Sequence, residues 1–344
     1  MRHSFNVLLL ILLLPLTAYA SKTVLINTFL THFAKQDFAW QCAPAKIENL
    51  TKNGDVKWLR LRCHGKFPTD YFRFSGKETG ILKINLVTAD ISSPHIKLVP
   101  QLARTSSKKQ PFAETLLQMG RDNPKFIAGI NGGYFYTNRK GHVDLLCLNK
   151  HYPELTPRNI SDGLLIIDGN EIAQNCEWNS FVTKGRSSLL LNQARHWYIH
   201  EIPYESSLPH ILSAIGAGPA LIKTVQGKPR IDIRWEGIFS TFEFSANSAV
   251  ALATDVKGHQ HVIFFTVDGV DGKAGMDSPE MANFIYFRLP RLLNLKLQSA
   301  MSMDQGHSTT LYIRDANPQI VSQASKRKGV RRIVDGLFIE GNLG

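Results

Sequence analysis

The sequence lacks an apolar run long enough to cross a membrane as a helix, which takes about 20 residues. The longest such run covers only residues 7–16, follows the basic residue Arg2 and precedes "AYA" at 18–20. A short basic region, a short apolar core and an A-x-A site are typical of a cleavable secretory signal. We therefore expect cleavage after Ala20 and an exported protein, secreted or periplasmic, without a stable membrane span.

Cysteine is scarce, with four residues in the whole chain. An even number of cysteines in an oxidising compartment favours two disulfides. Pairing of sequence neighbours, Cys42 with Cys63 and Cys147 with Cys176, is the simplest of the three connectivities.

Metal-binding patterns are also scarce. The H-x4-C-x3-H stretch at 142–151 matches no usual zinc site. The acidic stretch "DGVDGKAGMD" (268–277) could help to hold a calcium ion, although solvated loop acids are the simpler interpretation of Asp271 and Asp277. We therefore predict no metal ligands, with calcium as the one cofactor that the pattern allows.

Nucleic-acid recognition motifs, internal repeats and low-complexity tracts are absent, and the basic residues are scattered. Basic residues nevertheless exceed acidic ones, giving a formal net charge of +12. In an exported protein this excess favours an anionic carbohydrate or phosphoglycan, or a membrane surface, over nucleic acid as the partner. A hydrophobic content of 43% is enough to bury a core, which excludes general disorder.

Short β-type runs dominate the chain from about Tyr71 onward. Several are apolar throughout, which is typical of strands buried on both faces. Residues 21–66 show little periodicity, so we predict a small N-terminal appendage over 21–74 and one domain over 75–344. The predicted strands are "ILKINLV" (81–87), "FIAGI" (126–130), "LLIID" (164–168), "SLLLN" (188–192), "AVALAT" (249–254), "VIFFTV" (262–267) and "GLFIE" (336–340).

Helical patterns are few. "FAETLLQMG" (112–120) predicts a helix that ends on a glycine. "SPEMANFIYFRLPRLL" (278–293) predicts a second, with Ser278 as its N-cap, Pro279 at the first helical position and Pro290 ending or kinking it. The predicted fold class is therefore α+β (mixed α/β), a strand-rich single domain of catalytic type with few helices.

Four strand-like runs end in small and polar residues. Glycine lets a backbone approach a ligand closely, and consecutive N–H groups can cradle an anion. Taken alone, each end is better explained as a turn, and a lone histidine is most often a surface residue. Together the four ends favour a shared site. They are Asn131-Gly132-Gly133, Gly216–Pro219 with Gly218, Asp268-Gly269, and Asp304 with His307.

Six segments follow one another in a characteristic order: "INGGYF" (130–135), "GAGPALI" (216–222), "VDG" (267–269), "GMDSPEMA" (275–282), "MDQGHSTTL" (303–311) and "RRIVDGLFI" (331–339). In this order and spacing they resemble the phosphodiester glycosidase family, and the resemblance covers roughly residues 75–344. The sequence departs from the family pattern at Gln305 and His307, where the family has glycine, and at Asn247, where arginine is usual.

The resemblance implies hydrolysis of a sugar-1-phosphodiester at its glycosidic bond. Such chemistry needs an oxocarbenium-like centre stabilised, an attacking water or carboxylate, and the phosphate held in place. Asp304 and Asp268 are the best candidate carboxylates, and His307 would add a proton donor or a phosphate contact. The candidate groups for binding phosphate and sugar hydroxyls are Asn131, Gly132, Gly133, Gly218, Ser308 and Thr309.

Two other interpretations stay open. The three departures from the family pattern are compatible with a non-catalytic protein that binds a glycan or phosphoglycan on the same scaffold. Alternatively, Asp268, Asp271, Asp304 and His307 could serve a metal-dependent hydrolase.

Overall fold

A computed structural model gives the fold of the chain. It describes residues 31–32, 34, 41–66, 79–103, 105–107, 110–111, 114–136, 160–175, 185–204, 206–233, 236, 245–268, 275–324 and 329–342. The predicted signal, Cys147, Cys176 and Asp271 lie outside these residues.

Strands dominate the described residues, as the sequence predicts, and every predicted strand is confirmed at its place. The strands are β1 (Gln41–Asn49), β2 (Val56–Lys66), β3 (Thr79–Asp90), β4 (Lys97–Leu102), β5 (Thr105–Ser107), β6 (Gln110–Pro111), β7 (Glu114–Thr115), β8 (Phe126–Asn131), β9 (Phe135–Tyr136), β10 (Ile160–Ser161), β11 (Leu165–Ile167), β12 (Asn170–Ala173), β13 (Gly185–Asn192), β14 (Trp197–Pro203), β15 (Ile211–Gly216), β16 (Ala220–Val225), β17 (Lys228–Ile231), β18 (Asn247–Thr254), β19 (Gln260–Val267), β20 (Lys296–Ser302), β21 (Thr310–Arg314), β22 (Pro318–Gln323), β23 (Arg332–Ile333) and β24 (Asp335–Glu340).

Helices are short and few among the described residues. They are α1 (Leu116–Asp122), α2 (Ser278–Phe287) and α3 (Leu289–Leu293), with a 3₁₀ turn at Gly306–Ser308. None of the helices that the structure describes is long and apolar enough to cross a membrane.

The strands form one large and two smaller antiparallel sheets, with three two-stranded ribbons beside them. The main sheet has the order β1-β2-β3-β19-β18-β20-β16-β17. The two five-stranded sheets have the orders β12-β11-β15-β13-β14 and β22-β21-β8-β24-β4. The chain passes from the main sheet to the second of these at the 3₁₀ turn, which follows β20 and precedes β21.

The main sheet is buried on both faces. Phe264 and Phe265 of β19 point to opposite faces, because successive side chains of a strand alternate. Phe265 packs against Phe284 of α2, with ring centroids 5.6 Å apart. Phe264 lies in the apolar layer that the main sheet shares with the five-stranded sheets. This arrangement confirms that the continuous apolar runs are strands covered on both sides.

The N-terminal segment adds two strands to the main sheet. β2 pairs with β3, and Cys42 of β1 lies directly opposite Cys63 of β2. These two cysteines form a disulfide with their Cα atoms 4.0 Å apart, which confirms the first predicted pair. Residues 41–66 therefore continue the sheet of the following residues. The division of the chain at residue 75 stays a prediction.

The first predicted helix begins and ends later than expected. Thr115 caps α1 and forms a capping box with Gln118. Gly120 therefore lies inside the helix, and the prediction that it ends the helix is wrong. A Cβ atom on Gly120 would lie 2.5 Å from the ring of Tyr312, so glycine serves close packing here.

The second predicted helix is interrupted near Pro290 as expected, and becomes α2 and α3. Its N-cap is Asp277 and not Ser278, because the Asp277 carboxylate accepts the N–H of Glu280 at 2.8 Å. The first turn of α2 is buried, and Asp277 is buried with it. The interpretation of Asp277 as a solvated loop acid is therefore wrong. Burial raises the pKa of Asp277 to about 7.

Replacement of the α2 cap gives a stability prediction. Asp277→Ala removes the acceptor of the Glu280 N–H and is expected to lower the free energy of unfolding by about 1 kcal/mol. Asp277→Asn is the matched control and should unfold near wild type, because asparagine caps helices as well as aspartate does. Urea denaturation measures both, and an alanine variant as stable as wild type would contradict the capping role.

Candidate active site

The ends of β8 and β20 meet where the main sheet joins a five-stranded sheet. The Asn131 side chain donates from Nδ2 to the Asp304 carbonyl oxygen at 2.8 Å. Its Oδ1 accepts the N–H of Thr310 at 3.1 Å. The N–H of Asp304 donates to the Gly132 carbonyl oxygen at 3.0 Å. Two of the glycine-containing strand ends are therefore held together by the Asn131 amide and by the backbone.

The strand end at Gly218 lies against the same place. Its N–H donates to the carbonyl of Ser302, just before Asp304 in sequence, at 2.9 Å. The Tyr134 hydroxyl donates to the Gly218 carbonyl at 3.3 Å. Gly218 has a φ of +100°, and a Cβ atom there would lie 2.0 Å from Oε2 of Glu236. Both the backbone conformation and the close carboxylate require glycine at this position.

Asp335, at the start of β24, receives the N–H groups of the glycine turn. Gly132 N–H donates to the Asp335 carbonyl oxygen at 3.0 Å, and Gly133 N–H donates to Asp335 Oδ1 at 2.8 Å. A Cβ atom on Gly132 would lie 1.8 Å from that oxygen. The two N–H groups that the sequence suggests as an anion cradle are thus both directed at Asp335, one at its backbone carbonyl and the other at its carboxyl group.

Asp304 is buried, with 8% of its surface exposed. Its pKa is raised to about 6, chiefly by burial and to a smaller extent by the Asp162 charge, while Ser308, Arg331 and the N–H of Gln305 oppose the rise. The Gln305 N–H donates to Asp304 Oδ1 at 2.9 Å. A carboxyl group with a pKa this near neutrality is typical of acid–base sites.

Asp335 is more deeply buried, with 1% of its surface exposed. Burial raises its pKa to about 7, and the charge of Asp304 adds to this rise, while hydrogen bonds from Ser161 and Gly133 oppose it. The charge of Asp304 thus contributes to the raised pKa of Asp335, and both carboxyl groups titrate nearer to neutrality than an exposed aspartate does.

A buried ion pair lies beside these two acids. Arg186 Nη1 donates to Asp162 Oδ2 at 3.0 Å and to the Asp162 carbonyl at 3.1 Å, and both side chains are almost fully buried. The N–H of Asp162 donates to the Tyr134 carbonyl, and the Arg186 guanidinium lies 5.8 Å from the centre of the Tyr134 ring. The pair thus fixes the residues that follow the glycine turn.

Glu236 is a further buried acid behind Gly218. Its carboxylate accepts the Ser187 hydroxyl at 2.6 Å, the Ser187 N–H at 2.9 Å and the Ala220 N–H at 3.1 Å. Burial raises the pKa of Glu236, and these hydrogen bonds oppose the rise. Because it joins β13 to the start of β16, this residue orients the Gly218 strand end.

Asp268 follows β19 at the same end of the main sheet as Asp304. β18 lies between β19 and β20, so the spacing of neighbouring strands places the two strand ends about 10 Å apart. Asp268 accepts a hydrogen bond from the Ser322 hydroxyl of β22. The two predicted carboxylates therefore lie at the same end of the main sheet, on strands that are separated by β18.

The remaining predicted residues lie on the 3₁₀ turn and just after it. His307 is exposed, and Ser308 and Thr309 are buried. The Ser308 hydroxyl accepts a hydrogen bond from Arg331 Nη1 at 3.0 Å. Among the residues that the structure describes, none is a hydrogen-bond partner of Thr309 Oγ1.

Two departures from the family pattern are internal. Gln305 Nε2 donates to the hydroxyls of Ser302 at 2.8 Å and Ser278 at 3.3 Å. Asn247 is buried and donates from Nδ2 to the Met276 carbonyl oxygen. Both residues therefore join the end of the main sheet to the residues around the start of α2.

Metal ligation is not supported by the part of the chain that the structure describes, where no group of three or more His, Cys, Asp or Glu could hold an ion. Most of the stretch suggested for calcium, residues 269–274, lies outside the described residues.

Three acids and one arginine of this site are not among the residues that the sequence predicts. Asp335 and Asp162 each precede a glycine beside a predicted strand, in "VDGLFIE" and "SDGLLII", and the D-G pattern that selected Asp268 could have found both. Arg186 and Glu236 carry no such signal, because their partners lie 24 and 49 residues away in sequence.

The residues of this site lie within the part of the chain that matches a known protein family. A sequence profile of the phosphodiester glycosidases matches residues 124–340, which include Asn131, Asp304 and Asp335. The chain belongs to the phosphodiester glycosidase family. The match confirms the family that the six segments resemble, and no curated protein sequence matches the chain significantly.

Solved structures show the same phosphodiester glycosidase fold. The catalytic domain of zebrafish N-acetylglucosamine-1-phosphodiester alpha-N-acetylglucosaminidase, auto-inhibited by its pro-peptide, is 15% identical, with 88% of each chain covered and a TM-score of 0.54. A protein described as exported, from Burkholderia pseudomallei, is 11% identical, with 89% of this chain and 97% of that chain covered and a TM-score of 0.52. At these identities the likeness concerns the fold alone.

Proposed function

We propose that this chain hydrolyses the glycosidic bond of a sugar-1-phosphodiester, releasing the sugar and leaving a phosphomonoester. Membership of the phosphodiester glycosidase family supports glycoside hydrolysis. The observation that carries the proposal is the coupled pair Asp304 and Asp335, two acids with raised pKa values at the junction of two sheets. The zebrafish enzyme of the same fold, which acts on a sugar-1-phosphodiester by its name, supports the substrate class.

Asp304 is the group that we assign to the reacting centre. Its backbone is fixed by hydrogen bonds to Asn131 and Gly132, and the residue keeps 8% of its surface exposed. The carboxylate would take a proton from the attacking water while the C1–O bond breaks and its electron pair stays on the phosphate oxygen. Alternatively, the carboxylate would attack C1 itself, and water would then hydrolyse the resulting sugar–aspartate ester to release the sugar. Phosphate is a good leaving group, so strong acid catalysis is unnecessary.

The other predicted residues have supporting roles in this proposal. Asp268 is the second carboxylate, about 10 Å away at the same end of the main sheet, and the sugar would lie over the start of β18, which separates the two strand ends. His307 is exposed on the turn and would contact the phosphate or supply a proton. Ser308 and Thr309 would contact sugar or phosphate, and Asn131, Gly132, Gly133 and Gly218 would shape the floor of the site.

An assay of the purified protein on a panel of sugar-1-phosphodiesters tests the proposal. Release of free sugar together with the phosphomonoester is expected, with no loss of rate in a chelator. Binding of the substrate without turnover would instead favour a non-catalytic glycan-binding protein. Loss of turnover in the chelator would favour the metal-dependent alternative.

The two raised pKa values predict a bell-shaped dependence of kcat/KM on pH. Asp304 acts as a carboxylate, so activity should fall as the pH drops below its pKa of about 6. Ionisation of Asp335, with a pKa of about 7, puts a second negative charge beside Asp304 and the anionic substrate, so activity should also fall at higher pH.

Asp335→Asn provides the control for that profile. Its side-chain oxygen can still accept the Gly133 N–H, but the group no longer ionises. We expect the alkaline limb to disappear while the acid limb remains near pH 6. A profile that keeps both limbs would contradict the assignment of the alkaline limb to Asp335.

We also propose that the protein is exported. The N-terminal pattern that ends at Ala20 and the Cys42–Cys63 disulfide support this, because disulfides persist in oxidising compartments. The Burkholderia protein with the same fold, described as exported, is consistent with it.

A further inference from the structure

Arg331 lies at the exposed edge of the candidate active site. It precedes β23 and is exposed to solvent. Its guanidinium carbon lies 4.9 Å from the centre of the Phe135 ring, and its Nη1 donates to Ser308 Oγ at 3.0 Å. The guanidinium is therefore oriented by side chains from β9 and from the turn that follows Asp304, so its position is fixed before any ligand binds.

The positive charge of Arg331 acts on the Asp304 carboxylate. It lowers the pKa of Asp304, against the larger effect of burial. Arg186, the other arginine of the site, is buried and already ion-paired with Asp162. A guanidinium has five N–H donors, and the contacts above use one of those of Arg331. In the part of the chain that the structure describes, the other N–H groups of Arg331 have no acceptor and can therefore meet an anion.

Other hydrogen-bond donors near Asp304 already donate to acceptors of the protein itself. The N–H groups of Gly132 and Gly133 donate to Asp335, and the Asn131 amide donates to the Asp304 carbonyl. An anionic group that approaches Asp304 therefore meets these donors only if the turn rearranges. Arg331 needs no rearrangement.

We propose that Arg331 binds the phosphate of the substrate and makes the site selective for phosphodiesters over neutral glycosides. This inference rests on the proposed function and adds the residue that recognises the leaving group. A planar guanidinium matches two phosphate oxygens with two parallel hydrogen bonds. A phosphodiester carries one negative charge, and the departing phosphomonoester gains another as the C1–O electron pair moves onto its oxygen. The contact therefore strengthens in the transition state.

Paired substrates test this assignment. Arg331→Gln, Arg331→Lys and wild type are compared on a sugar-1-phosphodiester and on the neutral nitrophenyl glycoside of the same sugar, in buffer without phosphate. Arg331→Gln should lose about a hundredfold in kcat/KM on the phosphodiester and less than about threefold on the nitrophenyl glycoside. Arg331→Lys should show an intermediate loss, because lysine keeps the positive charge but cannot make the two parallel hydrogen bonds of a guanidinium. Arg332→Gln, which removes the same charge from an exposed neighbour, should behave as wild type.

Equal losses on the two substrates would overturn the inference, because Arg331 would then act through Asp304 or Ser308. An unchanged rate on the phosphodiester would overturn it as well. If the wild-type protein hydrolyses neither substrate, the proposed function fails, and calorimetric titration with the sugar 1-phosphate decides on Arg331 separately. Binding that weakens at least tenfold in Arg331→Gln but not in Arg332→Gln would support the inference. Binding that is absent or unchanged would overturn it.

Discussion

Asp304→Asn should lower turnover of a sugar-1-phosphodiester by about a hundredfold or more and leave the fold intact. The Asp304 backbone makes the contacts that hold the site together, with Asn131 and Gly132, and an asparagine keeps them. Asparagine also keeps a side-chain oxygen for the Gln305 N–H. What is lost is the negative charge at the reacting centre, which affects the transition state far more than it affects stability.

Kinetic assays and thermal melting together test this prediction. Asp268→Asn should also lose activity if it is the second carboxylate. Asp277→Asn is the matched control, because Asp277 is an equally buried aspartate whose role is to cap α2, and its activity should stay near wild type. Near wild-type turnover by Asp304→Asn would mean that this acid only completes a turn and that the active-site assignment is wrong.

Arg186→Met should lower the free energy of unfolding by about 3–5 kcal/mol, the usual effect of removing one partner of a buried ion pair. Arg186 and Asp162 have 1% and 2% of their side-chain surfaces exposed. Without the arginine, Asp162 keeps a buried charge without its counter-charge, or takes up a proton. Both outcomes favour the unfolded chain.

Urea denaturation measures this loss. Lys223→Met is the matched control, because the Lys223–Glu201 pair is about a quarter exposed and 3.4 Å long, and its loss should cost less than about 1 kcal/mol. The double variant Arg186→Met with Asp162→Leu should recover much of the lost stability, since it removes both charges. A single Arg186→Met variant as stable as Lys223→Met would contradict the importance of the buried pair.

The strands were predictable because their signal is local. The run "VIFFTV" supplies apolar side chains to both faces of a covered strand. Such a continuous apolar run predicts a strand without any information about the residues that pack against it. The positions of helix ends were less predictable. Glycine is typical of a helix end, but Gly120 lies inside a helix and allows close packing against Tyr312. Aspartate is typical of solvent-exposed loops, but Asp277 caps the buried first turn of α2. In both cases the deciding contact comes from the packing around the residue.

The candidate site was predictable where a glycine or acid follows a strand. Asn131 follows a predicted strand and Asp304 follows a strand-like run, and the structure joins them by a hydrogen bond across 173 residues of sequence. Arg186 could not be found in this way, because a charged residue within a strand usually faces solvent. Its burial depends on Asp162, and only the three-dimensional arrangement brings that counter-charge to it.

The two outermost strands of the main sheet have a consequence for self-association. An unpaired strand edge is a template on which another chain can add, and prolines, lysines and bulges on edge strands prevent this. β1 carries Pro44 and Lys46 at an irregularity in its pairing, and β17 carries Lys228 and Pro229. The disulfide keeps β1 on its neighbour, so the long strand β2 is not uncovered. Each end of the eight-stranded sheet therefore carries residues that disfavour strand addition and so oppose aggregation.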